Sequence, residues 1–338
     1  MVASRIRVAL DENDSSWTTQ RTYLDNLAAE LTTAPEVELV SIDDSPDIVH
    51  LNYLNPLGRL VHGKESLERH FRDVLSVVTS SDAALVLTEH GVEEFSDLRH
   101  SMYLDNYAVV GKTADRAKRQ LSRWFGSRAD RIIAISSMDR EFLVESGFAR
   151  EAVCHVPHGV DESFFASDSA DEGFVLHVSK CSPHKNPEAI LETARRIERP
   201  MVVVGGGWQD QYGSELSEID SVDAKGFVED SELKRLYAAA SVFYFPSTYE
   251  PFGLPILEAM ASRTPVVASV NSTARDFDSD GVQAVPPDEV DRHVELLEAL
   301  LADSYDRERR AAAAQSFARD MTWERTAART IDIYRGLL

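Results

Sequence analysis

Short apolar runs recur along the chain, and most are followed by a stretch with apolar positions three and four apart. RVAL (7–10) precedes a helical pattern from about Thr18 to Leu31, with Tyr23, Leu24, Leu27 and Leu31 on one face. VELVSI (37–42), DIVHLN (47–52), AALVLTE (83–89) and RIIAIS (131–136) read as strands, with helical patterns at about 65–78, 113–125 and 137–146. The alternation restarts with FVLHVS (174–179), a helix over 186–197, MVVVGG (201–206), AKGFV (224–228) and a helix over 231–239. A strand near 282–286, helices near 289–302 and 304–319, and a last amphipathic segment, WERTAARTIDIYRGLL, complete it. Strand and helix in alternation imply parallel sheets. The small, acidic segment SDSADEG (167–173) reads as a linker, so two doubly wound α/β domains are expected over 1–166 and 167–320, followed by a terminal helix over 321–338.

Within this pattern Val242–Ser269, VFYFPSTYEPFGLPILEAMASRTPVVAS, stands out as a complete βαβ unit: buried strand, tight loop, short helix, buried strand. Pro255 suits a first helical turn, where its missing N–H loses no partner, so Gly253 and Leu254 would present backbone amides at the helix start. Such an end attracts an anion. Glu250 precedes the helix and Glu258 lies within it, so two carboxylates flank the amides. That suits a ligand with phosphate in its middle and hydroxyls on both sides.

Composition narrows the partners. The chain has 338 residues, enough for two domains with their own cores, and 43% hydrophobic residues exclude a largely disordered chain. With 57 acidic against 35 basic residues the net charge is −22, which repels polyanions and argues against nucleic acid. Many Asp and Glu beside only seven Lys fit a high-salt cytoplasm, where screening makes dense like charge tolerable. Cys154 and Cys181 lack metal-ligand spacing and read as reduced thiols. MVASRIRVAL lacks a signal peptide's apolar core and cleavage site, and no apolar run approaches membrane-spanning length, so a cytoplasmic protein is expected.

Three pieces of the second half would meet at strand ends. Ser179-Lys180-Cys181-Ser182-Pro183-His184-Lys185-Asn186 carries two of the seven lysines, whose ammonium groups can hold a diphosphate; two surface lysines capping a helix would read the same. Gly226-Phe227-Val228 is a strand-to-loop corner where a glycine lets a flat ring approach backbone, or simply a turn. The third is the βαβ unit, in which Glu258 alone could equally be a solvated helix residue.

Taken together these strings resemble the retaining glycosyltransferases of family 4, which have the GT-B fold of two facing Rossmann-like domains with a cleft between them. YFPSTYEPFGLPILEAMASRTPVVAS is similar to that family's nucleotide-sugar motif, ADRIIAISSMDREFLVESGF with VPHGVD to the end of its first domain, and SKCSPHKN to its basic loop. GFVEDSELKRLYAAASVFYFPS resembles its base-binding loop and following helix, and WERTAARTIDIYRGLL its terminal helix, which packs back toward the first domain; residues 129–338 are covered. The resemblance implies that Glu258 accepts from the ribose hydroxyls, that Glu250 faces the donor sugar, and that the amides of Phe252, Gly253 and Leu254 lie near the sugar and distal phosphate. It implies Lys180, where the family has Arg, and Lys185 on the diphosphate, with Gly226 and Val228 bordering the base. Lys180 keeps the charge and loses the bidentate fork. His90, in LVLTEHG, matches a family histidine near the donor sugar.

Two further positions depart from the family. The loop after the first strand, DENDSSWTTQ, has no glycine pair, so Ser15, Ser16 and Trp17 form a different wall or the loop serves the acceptor alone; His158 stands where Asn is frequent. No metal is expected: Asp276–Gly281 begins like a calcium loop, but Pro287 occupies the position of the bidentate Glu. Gly205-Gly206-Gly207 lacks the Lys-Ser/Thr of a P-loop and reads as a turn. One basic stretch, 111–131, carries Lys112, Arg116, Lys118, Arg119, Arg123, Arg128 and Arg131 with Leu121, Trp124 and Phe125. It reads either as a peripheral contact with anionic lipid or a lipid-linked acceptor, or as a helix whose aromatics face the core.

The activity implied is transfer of a hexose from a nucleoside-diphosphate-sugar donor to a hydroxyl acceptor, a glycan or lipid-linked molecule, with retention and no cofactor. A nucleotide-sugar epimerase of the same fold and a non-catalytic nucleotide- or sugar-binding member are the alternatives.

Overall fold

A computed structural model describes residues 5–10, 18–52, 82–91, 120, 122–166 and 169–338. These residues form two six-stranded parallel sheets. In the first, β1 (Ile6–Leu10), β2 (Val37–Leu39), β3 (Ile48–Leu51), β4 (Ala84–Glu89), β5 (Arg131–Ala134) and β6 (Val153–His155) lie in the order β2-β1-β3-β4-β5-β6. In the second, β7 (Val175–Val178), β8 (Met201–Val204), β9 (Val222–Gly226), β10 (Val242–Phe245), β11 (Val266–Ser269) and β12 (Val282–Val285) lie in the order β12-β11-β10-β7-β8-β9. Each order reverses beside the first strand of its sheet. Between β7 and β10 this leaves a topological switch point, where loops from neighbouring strand ends diverge and a ligand crevice opens.

Helices among the described residues include α1 (Thr18–Thr33), α2 (Ser137–Glu145), α3 (Pro187–Arg196), α4 (Trp208–Ser217), α5 (Asp230–Ala239), α6 (Leu254–Ala261), α7 (Val290–Ala302), α8 (Ser304–Ala318) and α9 (Trp323–Arg335). α4 was not expected, and its residues explain why. It starts from Gly207 in the left-handed region (φ 85°), contains Gly213 and is kinked at Tyr212 (φ −131°, ψ 22°), so it lacks an even apolar stripe. VELVSI forms a strand only to Leu39, because Ser41 and Asp44 close a capping box that turns the next residues into a 3-10 turn.

Packing divides the chain into two compact units. One holds the described residues of Met1–Arg99 and Leu104–Gly159 together with Trp323–Leu338, and the other holds Val160–Thr322. The chain leaves the first unit ahead of the 167–173 segment because Val160 already donates to Met321 O at 2.9 Å and Phe164 packs edge-on against Tyr237 at 5.7 Å. The first unit's core gathers Val49, Leu85, Leu87, Phe125, Ile132 and Leu143 around its sheet. α9 belongs to this unit: Tyr334 Oη lies 2.6 Å from His50 Nδ1, and Arg335 Nη2 2.5 Å from Glu36 Oε1. The second unit's core combines Val175, Val203, Tyr244 and Val267 of the sheet with Ile190, Leu191, Trp208 and Leu297 of the helices. VFYF of β10 is wholly buried, as a parallel strand covered on both faces must be.

The loop at 11–17, the helical pattern at 65–78 and most of 111–125, including Lys112, Arg116, Lys118, Arg119 and Leu121, lie outside the described residues. Within the basic stretch Phe125 is core, whereas Trp124 is 40% exposed and carries the Arg128 guanidinium 3.8 Å above its ring. Cys154 and Cys181 are free thiols. Among the described residues no helix is long and apolar enough to cross a membrane.

Candidate functional site

The second unit brings its predicted residues together at the carboxyl ends of β7, β9 and β10. The loop after β7 carries Lys180 and Lys185 and is anchored on three sides. Cys181 N donates to Gly206 O at 2.9 Å, Asn186 Nδ2 donates to Pro246 O and Pro287 O at 3.2 and 2.9 Å, and His184 O accepts from Thr248 N at 2.8 Å. Asn186 tolerates the left-handed backbone (φ 59°) that lets the loop turn straight into α3 at Pro187. Gly205 makes the neighbouring loop possible: at φ 128°, a Cβ there would lie 2.1 Å from Ser179 O. The triple glycine, expected as a plain turn, therefore presses the loop after β8 against the lysine loop.

Lys185 does not stand free. Its ammonium donates to Glu250 Oε2 and lies 5.0 Å from the centroid of the Phe245 ring, with the side chains of Lys185 and Glu250 15% and 14% exposed. The lysine expected on a diphosphate and the carboxylate expected on a sugar thus form one ion pair. Lys180 is exposed. Beside them, burial and the Lys185 charge push the His184 imidazole down to about 4, against the pull of Glu250.

Gly253 is the N-cap of α6 at φ 80° and ψ 60°, and a Cβ there would meet Glu250 Cγ and Ile256 Cδ1 at 3.1 Å each. Glycine suits the left-handed conformation, and a Cβ would have to push those two side chains aside by a few tenths of an ångström. Pro255 sits in the first turn, and Phe252 is buried with its carbonyl accepting from Thr273 Oγ1. Glu258, one turn further along α6, is no solvated helix residue. It is partly buried, accepts from the Tyr237 hydroxyl at 2.8 Å, and burial pushes its carboxyl up to about 7 against the pull of that hydroxyl.

At the base corner Gly226 is in the left-handed region (φ 67°), and nothing within the protein approaches where its Cβ would be, so the space beside it is open. Gly206 admits a ring of the protein itself, since a Cβ there would meet Phe227 Cε2 at 2.6 Å. Phe227 itself is 85% exposed, and Val228 is half-buried.

His90 lies in the first unit, in a buried polar cluster. Its Nε2 is 2.5 Å from Asn52 Oδ1, which can only accept, so Nε2 carries the proton. Tyr23 meets its edge at 4.8 Å, and His158 stacks at 5.3 Å with the rings 27° apart. His158, the departure from the family's Asn, is thus a buried ring between His90 and Trp323, whose centroid is 5.5 Å away. His50 bridges Tyr334 and Thr88 Oγ1, 2.7 Å away. Burial pushes His50 and His90 down to about 3, each as neutral imidazole. Asn52, Tyr23 and Tyr237 were missed by sequence reasoning; their contacts are 38, 67 and 21 residues away along the chain, and no local pattern marks them.

Two parallel six-stranded sheets with their helices, a glycine-opened lysine loop and a capped helix flanked by glutamates define a GT-B glycosyltransferase architecture. Consecutive family models match: "Glycosyltransferase Family 4" over residues 22–164 and "Glycosyl transferases group 1" over residues 160–317. The chain belongs to glycosyltransferase family 4. It is 30% identical over 247 residues to the O-antigen chain mannosyltransferase B of Escherichia coli, covering 69% of this chain and 62% of that protein. It is 33% identical over 239 residues to the D-inositol 3-phosphate glycosyltransferase of Kribbella flavida, covering 61% and 56%. The matches thus span about three fifths of those relatives' length. Among solved structures, Anabaena HepE in complex with UDP and glucose superimposes with a TM-score of 0.72 at 18% identity, covering 98% of this chain and 99% of that one. Sucrose-phosphate synthase from Thermosynechococcus elongatus gives 0.68 at 20% identity, covering 95% and 79%.

Proposed function

We propose that this chain transfers a hexose from a nucleoside-diphosphate-sugar to a hydroxyl acceptor with retention of anomeric configuration. The observation that carries the reading is the Lys185–Glu250 pair at the switch point of the second sheet, with the start of α6 and Glu258 on its far side. That sequence of groups fits a donor in order: sugar hydroxyls on Glu250, diphosphate on Lys185, Lys180 and the amides at Gly253 and Leu254, ribose on Glu258. The mannosyltransferase and inositol-phosphate glycosyltransferase relatives, and HepE with its UDP and glucose, support the same class of substrate.

In this reading the anomeric C–O bond breaks with its electron pair leaving on the diphosphate. Lys185 moves from Glu250 to the phosphate oxygens, and with Lys180 and the helix amides offsets the charge that develops there. The acceptor oxygen forms the new bond on the same face, and its proton passes to the departing diphosphate oxygen. Glu250, released from Lys185, accepts from the sugar hydroxyls.

A thermal-shift panel of UDP, GDP, ADP and their hexose conjugates tests the donor class, because a ligand that binds the native state raises its melting temperature by mass action. One nucleoside series is expected to raise it, the sugar conjugate included. No shift from any member overturns the reading.

A further inference from the structure

We propose that Tyr237 is a positioning residue of the donor site: its hydroxyl holds Oε2 of Glu258 and leaves the other carboxylate oxygen to accept from the paired hydroxyls of a ribose. This rests on the site reading given above. Tyr237 lies in the last turns of α5, fully buried, and its hydroxyl donates to Glu258 Oε2 at 2.8 Å. The phenol has no room to follow a moving partner. Its ring meets Phe164 edge-on at 5.7 Å and Phe243 at 5.5 Å, and its main-chain oxygen accepts from Thr264 Oγ1 at 2.6 Å. Thr264 follows α6, so one residue ties α5 to the turn after α6 and, through its hydroxyl, to the helix itself.

The same contact sets how the site responds to pH. The charged groups facing Glu258 are Asp161, from the segment after β6, and Asp230 and Lys234 of α5. Burial and the two aspartates favour the protonated carboxyl, whereas Tyr237 and Lys234 favour the carboxylate, and the balance falls at about 7. Burial and the Glu258 charge hold the Tyr237 phenol well above its ordinary value, so it remains a neutral donor throughout. Ribose hydroxyls donate to a carboxylate, so donor binding draws the proton off. Affinity is therefore full above the midpoint and weakens as pH falls through it. Removing the Tyr237 hydroxyl removes a group that favours the carboxylate, which moves the midpoint upward.

The test is calorimetric titration of the wild type, Tyr237→Phe and Glu258→Gln with UDP-glucose, GDP-mannose and ADP-glucose between pH 5.5 and 9. In these conjugates the diphosphate has no ionisation in that range. The wild type should bind one of them with affinity that rises toward pH 8, releasing a proton at pH 6 but little at pH 8.5, as read from buffers of different ionisation heat. Tyr237→Phe should bind about fivefold more weakly at pH 7, as a midpoint raised by about one pKa unit gives, and recover near pH 9. Glu258→Gln should show no midpoint. A uniform loss in Tyr237→Phe with the midpoint unmoved means a packing role and overturns the proposal. So does wild-type binding without proton release at pH 6, which needs no variant to fold. Failure of the wild type to bind any of the three at any pH overturns the site reading itself.

Discussion

The two units place polar groups at the same position, the carboxyl ends of parallel strands, and solve the cost of burying them in opposite ways. In the second unit the groups are charged, partly open and paired: Lys185 with Glu250, held on loops that only glycine permits. In the first they are neutral and sheltered: His50 and His158 are buried and His90 is half-buried, among the rings of Tyr23, Trp323 and Tyr334. A diphosphate calls for charged groups, because its charge must be met as it develops, whereas a neutral imidazole can both donate a hydrogen bond and accept one.

The largest effect that can break this comparison is at Gly205. Adding a Cβ 2.1 Å from Ser179 O at φ 128° strains the lysine loop and the loop after β8 together. Gly205→Ala should cost roughly 3 kcal/mol or more in denaturant unfolding and abolish nucleotide binding. Normal stability with intact binding would show that the loops are not held as described. Next in size is Lys185→Met, expected to lower kcat on the order of a hundredfold with a smaller change in KM, since its contact strengthens as the diphosphate departs. A raised KM at unchanged kcat would make Lys185 a ground-state binder only.

Acid separates the two kinds of site. His50 and His90 are held at about 3 in the folded protein, below the ordinary value near 6.5. The unfolded chain therefore binds protons that the native one refuses, so stability is full above about 6.5 and falls as pH drops toward 3, by about 1.4 kcal/mol per pH unit for each histidine. Glu258 acts in the other direction. Its carboxyl is raised to about 7, so between its ordinary value and 7 the native state holds a proton that the unfolded one releases, and acid favours folding there. Denaturant midpoints of wild type and His90→Gln from pH 7 to 4.5 should differ in slope by one proton, and parallel curves would place His90 in a charged or solvated setting. The smallest expected change is Gly226→Ala, where only φ 67° resists, at about 1–2 kcal/mol.

The same contrast explains what could be read from the sequence. Strand and helix succession was legible because VFYF, PVVA and MVVV are apolar runs that only a doubly covered strand can bury, and because Pro255 and Pro187 mark helix starts. The charged site was legible too, since Lys180, Lys185, Glu250 and Glu258 lie in compact motifs at strand ends. Their pairing was not. Lys185 and Glu250 meet because β7 and β10 are neighbours in the sheet, a fact of topology that spacing does not carry. The neutral site was nearly invisible beyond His90: His50 and Tyr334 are 284 residues apart, and a tyrosine in an amphipathic helix reads as core. α4 was missed because Gly213 and the break at Tyr212 interrupt its pattern.

The most direct test of sugar transfer is proton NMR of the sugar leaving an α-linked nucleoside-diphosphate-hexose, followed from the first minutes with water or an added hydroxyl acceptor. The expected result is consumption of the donor with the α anomer appearing first, and its loss in Lys185→Met. A β anomer appearing first contradicts retention, and an unconsumed donor that nevertheless binds contradicts the assignment of transfer itself.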